Sequence, residues 1–251
     1  MRPSRQLAAS LLLGLAFTPS AQAGEVQVAV AANFAGPIAR IGEAFTAATG
    51  HVLKLSAGST GRFYAQIVAG APFEVLVAAD DETPKKLIAE GHAVAGSNFT
   101  YAIGKLVLWS TQAGFVDSQA AVLSSDKVKH IAIANPKVAP YGAAALEVLK
   151  ARGLLDAVTP KLVTAESIAQ AYQFAATGNA ELGFVALSQV AVPGKAPVGS
   201  YWLVPQNLYG EIRQDAVLLK TGEKNPAAKA LLDFLKTEAA KQTIRDFGYG
   251  L

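Results

Sequence analysis

The sequence predicts an α/β protein of two lobes, each a mainly parallel sheet flanked by helices, with a ligand cleft between the lobes. Three observations carry that prediction. Short β-branched runs alternate with helical stretches, glycines close those helices one after another, and two such sets fill residues 24–251. No internal repeat or low-complexity linker separates the sets, so crossing strands are expected to join the lobes around a hinged cleft.

The first set opens with the β-branched run 26–32, which ends at Asn33. A helix follows: Pro37 suits its first turn, Ile38, Ile41 and Phe45 recur at helical spacing, and Gly50 supplies the stop. Residues 51–56 read as a strand, 57–61 as a turn, and 62–69 as a helix closed by Gly70. Residues 73–79 are then a strand and 84–90 a helix stopped by Gly91. The second set begins with the strand-like run 102–109 and continues through strand 129–134, turn 135–140 and a helix from Gly142 ended by Gly153. A strand at 161–163, a helix over 166–177 stopped by Gly178 and a strand at 182–186 come next. Residues 215–219 form another strand, and Asn225 with Pro226 opens a last amphipathic helix carrying Leu231, Leu232 and Leu235. These elements assign lobe I to residues 24–103 with a C-terminal return over 214–251, and lobe II to 104–213.

Composition narrows the function. With 51% hydrophobic and 16% charged residues the chain is core-forming, which excludes collagen, coiled coil and low-complexity classes. Basic residues are scattered, with no run longer than Lys85-Lys86, so a nucleic-acid surface built on clustered cations is not expected. Without cysteine there are no disulfides, thiolate metal sites or cysteine nucleophiles, and His51, His92 and His130 lie far apart. Binding must therefore rest on oxygen and nitrogen donors.

Residues 1–23 have the parts of a secretory signal in order: Arg2 and Arg5, an apolar run from Leu7 to Phe17, and a small-residue site Ala21-Gln22-Ala23. Cleavage is expected after Ala23. The apolar run falls short of the roughly 20 residues that a membrane-spanning helix needs. The expected mature chain is a freely diffusing periplasmic protein, and the lack of cysteine at the cleavage site excludes a lipoprotein anchor. Loss of Arg2 and Arg5 leaves it nearly neutral.

Ligands of open α/β sheets sit beyond the carboxyl ends of strands, where helix N-termini present unpaired amides. Four junctions suit that position: Ala32-Asn33-Phe34, Gly58-Ser59-Thr60-Gly61, Ala139-Pro140-Tyr141-Gly142 and Ala165-Glu166-Ser167-Ile168. The first three combine an uncharged donor with small residues: the Asn33 amide, the Ser59 and Thr60 hydroxyls and the Tyr141 phenol. Cations are scarce, with Arg62 the closest. Each residue also has a plain structural reading. Asn33, Ser59 and Thr60 are helix caps by type, Tyr141 a half-buried loop aromatic, and Ile168 a core position with only its backbone N–H to offer.

Taken together, the ordered segments resemble the periplasmic molybdate-binding proteins of ABC importers, within the type II periplasmic binding proteins. The resemblance runs through Val-Ala-Val-Ala-Ala-Asn-Phe ending at Phe34, Ala57-Gly-Ser-Thr-Gly61, Tyr64 to Pro72, Phe73 to Asp80, Asn135 to Gly142, Leu182 to Val185 and Phe247-Gly-Tyr249. It implies two α/β lobes with two crossing connections enclosing one oxyanion, molybdate or tungstate, with no cofactor and no catalysis. Carried over by position, it places ligand contacts at Asn33 with the Ala32 backbone, at Ser59 and Thr60 with Thr60 the favoured side-chain donor, at Tyr141, and at the Ile168 amide. Asn33, Thr60, Tyr141 and Ile168 would touch the anion's oxygens and not its metal. One branch of the family has a tyrosine where this chain has Ala186; here the phenol comes instead from Tyr141. The implied partners are a membrane permease and its ATPase, and the implied state is a monomer.

The nearest alternative is the same architecture serving sulfate, phosphate or a small organic acid, and two other classes fit less well. An exported α/β hydrolase would need a G-x-S-x-G elbow and a paired histidine, and the sequence has neither; Asp80-Asp81-Glu82 reads as the charged start of a helix. A purely structural envelope protein would leave the small residues at the strand ends unexplained.

Overall fold

The computed structural model describes residues 23–251. The export signal expected at residues 1–23 thus lies outside the described residues, apart from Ala23. The strands are β1 (Glu25–Ala31), β2 (Val52–Gly58), β3 (Val75–Val77), β4 (Phe99–Gly104), β5 (Leu106–Ser110), β6 (Ile131–Ala134), β7 (Leu162–Ala165), β8 (Leu182–Ala186), β9 (Ser200–Leu203) and β10 (Ile212–Leu218). The helices are α1 (Ala35–Thr49), α2 (Thr60–Val68), α3 (Glu82–Ala89), α4 (Pro140–Ala151), α5 (Leu155–Val158), α6 (Ile168–Ala176), α7 (Leu187–Val190), α8 (Pro226–Leu235) and α9 (Glu238–Asp246).

These strands form two five-stranded sheets, ordered β2-β1-β3-β10-β4 and β7-β6-β8-β5-β9. The expected two-lobed α/β architecture with mainly parallel sheets holds: in each sheet four of the five strands run the same way and one runs against them. β1 is parallel to β2 and β3, while β10 runs antiparallel to β3 and β4. In the second sheet β6 is parallel to β7 and β8, while β5 is antiparallel to β8 and β9. The reason is the crossing. A strand that arrives from the other sheet needs no covering helix to reverse it, so it can pair antiparallel. The strand-like run 102–109 comprises the end of β4 in the first sheet and most of β5 in the second, with Lys105 alone between them.

Both sheets are covered on both faces. In β1, Val26, Val28 and Val30 join Ile38, Ile41, Phe45, Leu231 and Leu235 on one side, while Ala29 packs with Phe63, Ile67 and Leu87 on the other. That alternation is the period of two of a strand meeting the 3.6 period of its helices. In the second sheet Leu108, Ile131 and Phe184 meet α4, and Val107, Trp109 and Val185 meet α6 and α7. β9 and α9 were not anticipated. β9 is an edge strand with Tyr201 and Leu203 exposed, and α9 buries only Ala240 and Ile244, so neither carries a strong apolar pattern.

Asn225 illustrates how a local signal acquires a long-range role. Its Oδ1 accepts from the Ala227 N–H and caps α8, while its Nδ2 donates to the Glu25 carbonyl and the Glu74 carboxylate. One side chain therefore ties the last helices to the starts of β1 and β3. Asn225→Ala should cost about 2 kcal/mol, the sum of a cap and a partly exposed pair of bonds. The expected result in thermal unfolding is a midpoint lowered by about 4–8 °C; an unchanged midpoint would show that these bonds are replaced by water at no loss.

Candidate functional site

Where the two sheets face each other, the four anticipated junctions meet. Ala32, Asn33, Ser59, Thr60, Tyr141 and Ile168 all line one small enclosed cavity, with Ala31, Gly58, Ala79, Ala139 and Pro140 completing its wall. No carboxylate or cation is among these lining residues.

Each junction leaves a donor free. β1 passes into a single 3-10 turn, Ala32–Phe34, that leads into α1, so the Ala32 and Asn33 amides sit at a helix start, which has no intrahelical acceptor. β2 passes into α2 through Ser59, which has the extended conformation of a capping residue but makes no side-chain cap bond. Its Oγ is the one buried side-chain nitrogen or oxygen without a hydrogen-bond partner among the described residues. That sets aside the capping reading for Ser59. The Thr60 hydroxyl accepts from the Ala79 N–H at 2.9 Å, so its own proton remains available. The sequence favours Thr60 over Ser59 as the side-chain donor; in the structure it is Ser59 that has no partner at all.

α4 starts at Pro140 with no side-chain cap; the Gly142 and Ala143 N–H groups donate to the Ala139 carbonyl, which leaves the Tyr141 amide as the first-turn N–H without an acceptor, on a residue that lines the cavity. Tyr141 is only 1% exposed, fully buried where a half-buried loop aromatic was the alternative. Ser167 caps α6 by accepting from the Gln170 N–H, while the side chain of Ile168 packs in the core of the second sheet. The amides of Thr60, Tyr141 and Ile168 donate to no acceptor elsewhere among the described residues. Several helix N-termini thus point their positive ends at one small volume.

Asn33 is placed differently from expectation. Both protons of its side-chain amide are engaged, donated to Gln214 Oε1 at 2.9 Å and to the Tyr249 oxygen at 3.0 Å. Its carbonyl accepts from Ser188 Oγ at 2.9 Å and from the Tyr249 hydroxyl at 2.8 Å. What Asn33 offers the cavity is therefore its backbone amide. Burial pushes the phenols of Tyr101 and Tyr141 well above the ordinary tyrosine range and that of Tyr249 up to about 12. All three stay neutral donors at physiological pH. The sequence reading missed Gln214, Ser188 and Tyr101, and it had Tyr249 only as part of a family-like ending. No local pattern marks them, because their partners lie more than 100 residues away except for the Tyr101–Ala78, Tyr249–Ser188 and Gln214–Tyr141 pairs, which are still 23, 61 and 73 residues apart.

The two sides of the cleft also touch directly. The Gly61 N–H donates to the Val138 carbonyl at 2.9 Å, and a Cβ at Gly61 would stand 2.9 Å from the Val138 Cα. Arg62, the nearest cation, pairs across the cleft with Glu166 at 2.8 Å, so it is not free to hold an anion. An adjoining groove of about 450 Å³ opens to solvent along Asp80, Glu82, Glu147 and Glu211, with Lys137 and Arg213. Its excess of carboxylates makes it a poor anion site. The smaller enclosed cavity is the better candidate.

The bacterial extracellular solute-binding protein family matches residues 26–250. This chain belongs to that family. Among its relatives, the molybdate-binding protein ModA of Azotobacter vinelandii is 61% identical over 232 residues, 92% of each chain. ModA of Rhodobacter capsulatus is 57% identical over 242 residues, 96% of this chain and 94% of its own. The solved periplasmic molybdate-binding protein of Azotobacter vinelandii superposes with a TM-score of 0.88 at 44% identity, covering 90% of this chain and 99% of that one. In this solute-binding protein the cavity lies between the sheets, where the crossing strands bring the junctions together.

Two outcomes follow from the geometry. Because Ser59 Oγ has no partner, Ser59→Ala should leave the thermal midpoint of the ligand-free protein unchanged or raise it slightly; a clear drop would mean the hydroxyl is satisfied internally. The raised phenols make the second. Tyr249 holds its proton more tightly folded, at about 12, than at the ordinary value of 10.0, so this stabilisation is complete below pH 10 and fades as pH climbs toward 12. Circular dichroism against pH should show the native state weakening in that window and not below it.

Proposed function

We propose that this protein is an extracytoplasmic receptor for molybdate, and for tungstate in the same manner, which it encloses between its lobes and delivers to the membrane permease of an ABC importer driven by an ATPase. The observation that carries the reading is the buried, unpartnered Ser59 hydroxyl in a cavity of helix N-termini that has no charged lining residue. A buried hydroxyl left unmade costs about 1–3 kcal/mol. An oxyanion repays that cost, because its oxygens accept from Ser59, from Thr60 and Tyr141, and from the amides of Ala32, Asn33 and Ile168. The relatives described above carry the name molybdate-binding protein, and their identity extends over nearly the whole chain.

In this reading residues 1–23 direct export, the mature chain is a soluble periplasmic monomer, and it performs no catalysis. Lobe I comprises 24–103 with the return 214–251, and lobe II comprises 104–213. Capture occurs with the lobes apart; hinge closure at the two crossings then brings Gly61 against Val138 and Arg62 against Glu166. Sulfate is the natural competitor, being tetrahedral but smaller. A rigid set of donors spaced for longer metal–oxygen bonds leaves sulfate with stretched hydrogen bonds, so mismatch supplies the discrimination.

Calorimetric titration with molybdate, tungstate, sulfate and phosphate tests the reading. One-to-one binding of the first two without a signal from the others is expected; silence from molybdate would overturn it. Ser59→Ala and Tyr141→Phe should each weaken molybdate binding by about five- to a hundred-fold. Gly61→Val, which adds bulk where the lobes touch, should weaken binding without lowering the thermal midpoint of the free protein.

A further inference from the structure

Gln214 is not part of the cavity wall, yet it connects most of the polar groups behind it. It lies fully buried on β10, at the point where the pairing with β4 slips register. Its Oε1 accepts from Asn33 Nδ2 at 2.9 Å and from the Tyr101 hydroxyl at 2.9 Å. Its Nε2 donates to the Tyr141 oxygen at 3.1 Å. The Tyr101 hydroxyl also lies 2.8 Å from the Ala78 carbonyl just past β3, so its single proton is shared between that carbonyl and Gln214 Oε1.

The consequence lies in where protons are left over. A phenol has one proton and an oxygen that accepts. Since Gln214 already donates to the Tyr141 oxygen, the Tyr141 proton is left for the neighbouring Tyr249 oxygen or for an acceptor in the cavity that this residue lines. A free phenol could rotate its proton away; one held through its oxygen by a fixed amide cannot do so without losing that bond. Gln214 is in turn fixed by the two donors on its Oε1. An anion can take the Tyr141 proton only while Gln214 presents Nε2, so ligand binding and this amide orientation favour each other.

Backbone geometry supports the same contact. Gly104, the last residue of β4 before the crossing, stands where Tyr141 and Gln214 meet. A Cβ there would lie 2.5 Å from Gln214 Nε2 and would collide with the Tyr141 hydroxyl. Glycine at this position leaves the space in which the bond forms.

We propose that Gln214 is the positioning residue for Tyr141: it occupies the phenol oxygen, aims the phenol proton at the bound oxyanion, and links Tyr141 on α4 to Asn33 at the head of α1. This rests on the receptor reading above. It differs from a packing role in one respect, because Gln214 must act on affinity through Tyr141 and not beside it.

A double-mutant cycle separates the two roles, with molybdate affinity measured by calorimetry and the ligand-free thermal midpoint recorded for each variant. Gln214→Met keeps the volume and removes both amide ends. The expected result is about a tenfold loss of affinity, and in the Tyr141→Phe background Gln214→Met should cause no further loss. Wild-type affinity in Gln214→Met, or losses that multiply in the double variant, would overturn the proposal. Should Gln214→Met fail to fold, Tyr101→Phe decides, since it removes one donor to Oε1 and keeps the ring. It should weaken binding by about threefold, and that loss should vanish alongside Tyr141→Phe; a loss that persists would refute the link. If the wild-type protein were silent toward molybdate, the receptor reading would fail first and this proposal with it.

Discussion

An α-helix cannot satisfy its own first amides, and here the chain brings several helix starts to one enclosed volume between two sheets. Most other features of the site follow from that constraint. Unpaired amides and an unpaired hydroxyl cannot stay buried cheaply, so the cavity is suited to a ligand made of acceptors. The lining contains no cation, so a bound oxyanion meets partial charges fixed in direction by the backbone. Enclosure then requires the lobes to come close, which is why a glycine sits opposite the Val138 backbone.

Behind the cavity lies a second layer that is polar, buried and internally bonded. Tyr101, Tyr249, Ser188 and Gln214 surround Asn33, and nearly every polar atom in the group has a partner. Such a layer is costly when half satisfied and rigid when complete. Its rigidity suits selection by geometry. A donor that could swing would accommodate anions of different size, whereas one locked from behind favours a single spacing. The crossing strands β4 and β10 supply both Gly104 and Gln214, so the hinge region and the back of the site are the same piece of structure.

Much of the fold was legible because its signals are local. Gly50, Gly70, Gly91, Gly153 and Gly178 each have positive φ and follow helices, as their positions in the sequence suggest. The strands anticipated at 26–32 and 182–186 correspond to β1 and β8 within a residue. Weak patterns were lost. The edge strand β9 and the polar helix α9 bury too little to mark themselves.

The candidate site shows the same division. By itself the sequence determined that four strand-to-helix junctions with small residues and neutral donors exist, since residue type and spacing fix where a strand gives way to a helix. Only the tertiary structure decided that these junctions share one cavity and that Ser59 lacks a partner. It also decided that the Asn33 side chain turns inward while its backbone amide stays at the helix head. The physical reason is sequence separation: Asn33 and Gln214 stand 181 residues apart. Whether a polar side chain caps, binds or braces depends on which distant group reaches it first, and no local pattern carries that information.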